Sequence, residues 1–320
     1  MRFFLRRLTH GVLLLVGVSM LSFLFLQLAP GDFLDEVRLN PQISPETVAA
    51  LRNQYGLTEP LPERYLHWLN GVRKGDLGFS FAYNCPVSVL LWPRALNTLL
   101  LAGAATAVAW LVAVPLGVWS ASRRGGWEDR LCMGTTSGLL SVPDILLALG
   151  FLFVAVRTGW FPTGGMVPVG FGGLGWWDKL TSLLSHFFLP VLTLVLSSLP
   201  ALVRHVRAAM VEALSSPFIR AARAHGIRRR SVLFRYALRA AANPLVSLFG
   251  LSLTMLLSGS LLVEIIMSWP GVGPLLLEAI LARDVDVVIA AVMFSTLVVF
   301  AGNLAADGLL YALDPRIRSD

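Results

Sequence analysis

Three carboxylates stand inside long apolar runs of this chain: Asp144, Glu264 and Asp307. A charge in hydrocarbon is expensive, so an ionisable group there is by default a candidate for handling an ion or a polar solute. Glu264 and Asp307 lie near the ends of their runs, close enough to reach water or a helix terminus, which favours a structural role. Asp144 follows Pro143 and lies deeper. Asp144 and Glu264 are therefore the residues to consider for a transmembrane pathway. Other chemistries lack their parts. His10, His67, His186, His205 and His225 are scattered among loops and run ends, and none pairs with a nucleophile or base. Cys85 and Cys132 belong to no cluster with metal-ligand spacing. The glycines between 164 and 175 follow no strand and precede no Lys-Ser/Thr pair, and the chain has no G-x-x-x-x-G-K-[ST] loop. No metal, cofactor or nucleotide is expected to bind it.

The elements that hold these residues are read from composition. Hydrophobic residues make up 56% of the 320 positions and charged residues 14%, too few polar groups to cover a water-soluble domain of this size. The apolar residues fall in solid runs near 11–29, 96–121, 132–156, 187–203, 245–268 and 287–311. Roughly 20 apolar residues make one helical span, so the expected fold is an all-α polytopic transmembrane bundle of about six spans. The alternating segments of a β-barrel are absent. The first run follows Arg2, Arg6 and Arg7 like a signal peptide. It is longer than a typical signal core, however, and Pro30 stands where cleavage would be wanted, so an uncleaved first span is expected.

Charge sets the expected orientation. Of 26 Lys and Arg, 17 fall in alternate segments of the six-span scheme: the N-terminus, the 122–131 loop, the 204–243 loop and the C-terminus. The 204–243 loop alone holds nine. The long 30–95 segment has six basic residues offset by seven acids. Short positive loops stay in the cytoplasm, which puts both termini and 204–243 inside and 30–95 outside. The net charge of +7 then records topology and contact with membrane lipid, not nucleic acid. Cys85 and Cys132 fall on opposite sides, which excludes a disulfide between them.

The polar segments carry their own order. Ser44-Pro45-Glu46 reads as a helix start, with Val48, Leu51 and Tyr55 along one face and Gly56 as a stop. A second helix from Pro62 aligns Tyr65, Leu66 and Leu69. The 158–186 loop is rich in Gly, Trp and Phe, with tryptophans placed to anchor at lipid headgroups. In 204–243, Ser216-Pro217 starts a helix over 217–225, about 13 Å long. Phe218, Ala221, Ala222 and His225 share one face, Arg220 and Arg223 another, and Gly226 can supply a left-handed cap. Ser231 can cap a further helix through Val232, Tyr236 and Arg239. A short helix with a face of small residues suits a groove on another protein. It suits the surface of an anionic membrane equally well.

The run Ser216-Pro217-Phe218-Ile219-Arg220-Ala221-Ala222-Arg223-Ala224-His225-Gly226 resembles the cytoplasmic "EAA" loop of ABC-importer permeases. There, alanines and a glycine at fixed spacing form a helix that couples to the ATPase. Arg220 replaces the usual Glu and Pro244 follows later, both as in the peptide/nickel branch of that family. Ala29-Pro30-Gly31-Asp32, Gly75-Asp76-Leu77-Gly78, Trp269-Pro270-Gly271-Val272-Gly273 and Leu313-Asp314-Pro315-Arg316-Ile317-Arg318 are similar landmarks in the same order. Asp144 departs from the pattern, which has a small or uncharged residue after the proline.

The resemblance implies a B-type permease subunit of a dipeptide or oligopeptide importer in a bacterial inner membrane. Its expected partners are a second homologous permease subunit, two ABC ATPase subunits and a periplasmic substrate-binding protein. Its expected division is a first span plus periplasmic segment (1–95) and a permease core (96–320). Relatives of this kind also carry nickel chelates, glutathione or antimicrobial peptides. A stand-alone secondary transporter would need paired mid-membrane charges and repeated broken helices, and a membrane-embedded enzyme would need a catalytic constellation. Neither is seen.

Overall fold

The computed structural model describes residues 2–28, 44, 46, 47, 50, 52, 59–168 and 170–313. The Pro30 and Asp314 landmarks and the positions Val48, Leu51, Tyr55 and Gly56 lie outside the described residues. At Ser44 the hydroxyl accepts the Thr47 N–H at 3.2 Å, as a helix cap does.

Nearly everything described is helix. The long elements are α1 (Arg2–Leu28), α3 (Val87–Ser122), α6 (Trp176–Ser215), α8 (Ala242–Ile266) and α10 (Val285–Leu313). Shorter ones are α2 (Leu61–Arg73), α4 (Trp127–Leu140), α5 (Asp144–Thr158), α7 (Pro217–Ala224) and α9 (Val272–Leu281). A two-residue hairpin pairs Phe79–Ser80 with Cys85–Pro86. Each of the five long helices contains a stretch long and apolar enough to cross a membrane, and α4 with α5 makes a sixth if the pair is one span.

That pair departs from the continuous third span expected over 132–156. α4 and α5 meet at 90°. Pro143 takes an extended ψ of 144° and cannot donate to the turn before it, so the ladder stops at Leu140 and restarts on the Pro143 carbonyl, which accepts from Leu146 and Leu147. The fourth span is also longer than expected. α6 has 40 residues, about 60 Å at 1.5 Å per residue, twice a bilayer core. Its last turns carry Arg204 and Arg207, so the first third of the expected 204–243 loop is helix. α9 was not expected at all, being only 10 residues and too short to register as a span.

The chain forms two compact units, one of residues 1–97 and 270–300, the other of 98–269 and 301–320. In the first, Gly11 of α1 leaves room for the Phe300 ring, which a Cβ would approach to 2.2 Å. Phe23 of α1 packs edge-on against Tyr65 and Trp68 of α2, and Tyr65 shares a 2.9 Å hydrogen bond with Ser19. The Leu66 expected beside Tyr65 instead points outward. The core here joins Val87 and Leu91 of α3 to Val272 and Leu275 of α9 and Val287 of α10.

In the second unit, small residues let helices approach. Ala105, Ala109 and Ala113 of α3 and Ala148 and Ala155 of α5 are fully buried with Leu194 and Val203 of α6. A Cβ on Gly117 would meet Val206 at 2.6 Å, and one on Gly250 would meet Ala306 at 2.5 Å. Without a hydrophobic drive between helices in lipid, such close contact is a main source of association.

Candidate functional site

α7 is short, and its ends are defined. Pro217 occupies its first turn, where a missing N–H costs nothing. The Ser216 hydroxyl does not cap it, donating instead back to the Ala213 carbonyl at 2.6 Å. At the other end Gly226 takes φ +73°. Its N–H meets the Arg223 carbonyl at 3.0 Å, and the Ile227 N–H meets that of Ala222 at 3.3 Å. This is the paired closure that a left-handed glycine allows, in the place the sequence predicts.

One face of α7 is seated and the other is free. Ile219 and Ala222 are buried, in a cluster with Val206 and Met210 of α6 and Val232 and Ala237 beyond. Phe218, Arg220, Ala221, Arg223, Ala224 and His225 are exposed. The expected face of Phe218, Ala221, Ala222 and His225 is therefore divided, with Ala222 turned inward. The stretch that follows begins at Arg229, so Ser231 lies within it and does not cap it. Its Val232–Ala237 turn is π-helical, which rotates Val232 and Ala237 together into the cluster while Phe234 and Arg235 stay outside.

Beside this cluster lies an ion pair the sequence reading missed. Asp129, in the first turn of α4, accepts from Arg207 Nε at 2.6 Å and Nη2 at 2.7 Å, from Ser120 Oγ at 2.6 Å and from the Gly125 N–H at 2.9 Å. Asp129 is 3% exposed. The bidentate fork and the filled lone pairs are what a buried carboxylate requires. Arg207 is thus a structural cation. Its only sequence signal is an acid in the first turn of a helix that starts after Gly125-Gly126.

The pathway residues lie on different helices. Asp144 is the first residue of α5, half-buried, and accepts the Ser197 hydroxyl at 2.7 Å. The broken span thus places it at a helix N-terminus, where the backbone dipole favours an anion, and not in mid-helix. Glu264 is fully buried in the last turn of α8, at a helix terminus as its position in the run suggests and away from water. Asp307 is half-buried in α10. His67, expected to lack a partner, lies 3.0 Å from Glu59. Cys85 and Cys132 are both free thiols. Among the described residues no group of three or more His, Cys, Asp or Glu could hold a metal.

In the other unit a second missed constellation ties the Gly75–Gly78 landmark to α10. Asp284 accepts from Ser80 Oγ at 2.6 Å and from the Ala82 N–H at 3.1 Å, and Asp286 accepts from the Phe79 N–H at 3.1 Å. A Cβ on Gly78, which has φ +94°, would stand 2.4 Å from the Asp286 carboxylate. Nearby, Tyr83 donates to Glu278. Burial, and then that carboxylate, holds the phenol above its ordinary pKa.

Comparison with known proteins places this architecture. The family described as binding-protein-dependent transport system inner membrane component matches residues 113–319, and the model of that family's N-terminal part matches 1–97. The chain belongs to this family. It is a multi-pass inner-membrane permease subunit of the ABC-transporter class. The permease is 35% identical over 317 residues to the oligopeptide transport system permease protein AppB of Bacillus subtilis (strain 168), covering 98% of both chains. It is 33% identical to the dipeptide transport system permease protein DppB of Escherichia coli (strain K12) and 34% identical to the glutathione transport system permease protein GsiC of Pectobacterium atrosepticum, covering 99% of each chain. Among solved structures, the inward-facing MetNI methionine ABC transporter matches with a TM-score of 0.56 at 18% identity, over 71% of this chain and 97% of that one. That likeness shows the permease fold.

Proposed function

We propose that this permease imports di- and oligopeptides across the inner membrane. In this reading it pairs with a second homologous permease subunit and is driven by two separate ABC ATPase subunits, and a periplasmic substrate-binding protein delivers its cargo. Both termini and α7 face the cytoplasm. Residues 1–95 form the first span with a periplasmic segment, and 96–320 form the translocating core.

The observation that carries the reading is α7 with its flanking residues, from Ser216 to Gly226. Its outer face presents Phe218, Ala221, Ala224 and His225 with Arg220, a short peg with two alanines and a cationic edge that fits a groove on an ATPase. Its inner face is locked by Ile219 and Ala222 into the α6 cluster. A push on such a peg moves α6 with it, where a flexible loop would absorb the motion. Closing of the ATPase pair on ATP then biases the spans between inward- and outward-open arrangements, provided α7 has different contacts in the two. In this reading Asp144, at the break between α4 and α5 and beside Ser197, meets a peptide's N–H groups. Glu264 reaches the pathway only in a state where the helices around it part.

Reconstituted complexes given labelled dipeptide test this. Uptake is expected to need ATP, the ATPases and the binding protein. Ala221→Trp is expected to abolish ATPase capture and uptake while leaving the unfolding midpoint of the chain unchanged. Uptake driven by a proton gradient in the purified chain alone, or undiminished uptake in Ala221→Trp, overturns the reading. Competition by glutathione against dipeptide decides between the substrates that the relatives' names carry.

A further inference from the structure

Two chambers line up along α3, α4 and α6 in the unit of residues 98–269 and 301–320. The first, about 310 Å³, is apolar, walled by Leu116, Trp119, Leu131, Leu139, Leu199 and Val203. The second, about 510 Å³, is lined by Arg123, Arg124, Glu128, Val211, Arg223 and Arg229. Helical spacing sets them end to end on the same helix faces. Positions 116, 119 and 123 share a face of α3 and its end, 128, 131, 135 and 139 share a face of α4, and 199, 203, 207 and 211 share a face of α6. Arg207, paired with Asp129, stands between the two chambers on the α6 face.

The charge in the second chamber is only partly balanced. Arg123 pairs with Glu128 and lies over the Trp119 ring at 6.0 Å. Arg229 Nη2 donates to the Ser122 carbonyl at 2.9 Å. Arg124 and Arg223 are exposed and have no acidic partner among the described residues. Four guanidinium groups thus face one carboxylate at the end of an apolar slot, with a tryptophan at the junction as at a membrane interface.

We propose that the two chambers together bind one anionic phospholipid, with its phosphate held between Arg124 and Arg223 and one acyl chain lying in the apolar chamber. Guanidinium forks match phosphate oxygens, and the chamber beyond has the polarity of hydrocarbon. A free phosphate would leave that chamber unfilled, and an acidic protein surface would meet the arginines without entering it. The head bridges the 122–127 turn to Arg223 of α7, so the lipid braces α7 in its seat. This assignment is independent of what the permease carries.

The test uses the full chain in phosphatidylcholine nanodiscs with and without phosphatidylglycerol, read by native mass spectrometry and by the unfolding midpoint. Phosphatidylglycerol is expected to be retained over phosphatidylcholine and to raise the midpoint. Arg124→Gln is expected to weaken that retention about tenfold, the loss of one charge-assisted hydrogen bond, with Arg124→Lys between the two. Leu131→Trp, which fills the slot from its rim, is expected to weaken it with every arginine intact. Retention unchanged in Arg124→Gln overturns the proposal. So does equal protection by inorganic phosphate that Leu131→Trp leaves untouched, which marks a phosphate site without lipid. If Arg124→Gln weakens ATPase capture while lipid retention stays the same, the patch is a protein contact and the proposal fails.

Discussion

Asp129 is held by four donors, and two of them come from a residue 78 positions away. Removing that residue leaves an ionised carboxylate buried with only Ser120 and Gly125 to satisfy it, and breaking one side of a buried pair costs about 3–5 kcal/mol. Arg207→Met is therefore expected to lower the unfolding midpoint of the purified permease sharply. Adding Asp129→Leu to Arg207→Met is expected to recover much of the loss, since an apolar pair strands no charge. A single variant that melts like the parent sinks this account. The pair also shows where reading single residues stops. In the sequence Arg207 was one arginine among nine in a basic loop, and nothing in its type separated it from Arg204. Gly78 is similar: its landmark was visible, but the reason for it, the Asp286 carboxylate, sits far along the chain. Asp144 was legible as an anomaly, and its explanation needed the break that puts it at a helix start.

At the scale of elements, α7 separates two kinds of substitution that the sequence treated as one. Ala222 is buried against the α6 cluster and Ala221 is exposed. Ala222→Trp is expected to destabilise the chain by about 1–3 kcal/mol through overpacking and to cut its yield in the membrane. Ala221→Trp is expected to fold normally and fail only in coupling. Gly226→Val falls with the first, since its φ of +73° costs a β-branched residue about 1–2 kcal/mol. Equal midpoints for Ala222→Trp and Ala221→Trp in detergent thermal unfolding would contradict the seating of α7. Start, stop and glycine cap of this helix were all legible, because Pro and Gly act locally through φ. Which face turns inward was not, because neighbouring alanines carry no hydrophobic contrast. The π-helical turn was illegible for the same reason: it changes register without changing residue type. Hydropathy averaged over a window likewise merged α4 and α5 into one span, although Ser141-Val142-Pro143 marks the break.

For the whole molecule, the topology is where sequence and chemistry must meet. Six apolar runs and a charge asymmetry are additive properties of a chain, so they survive errors at every helix end, and the five spans with the α4–α5 pair follow them closely. Orientation rests on the arginines alone: 17 of 26 basic residues in alternate segments, with the 204–243 group strongest. Pairing of Arg207 with Asp129 removes one from that count as a free charge and does not change its sign. The two native thiols make the orientation measurable. Cys85, in the hairpin before α3, is partly exposed, while Cys132 is buried at 8% exposure. A membrane-impermeant maleimide applied to intact spheroplasts is expected to label Cys85 and to spare Cys132. In a Cys85→Ser background, a cysteine at His225, exposed on α7, is expected to react only after the membrane is opened or inverted. Labelling of His225→Cys from outside would reverse the topology and remove α7 from the reach of any cytoplasmic ATPase.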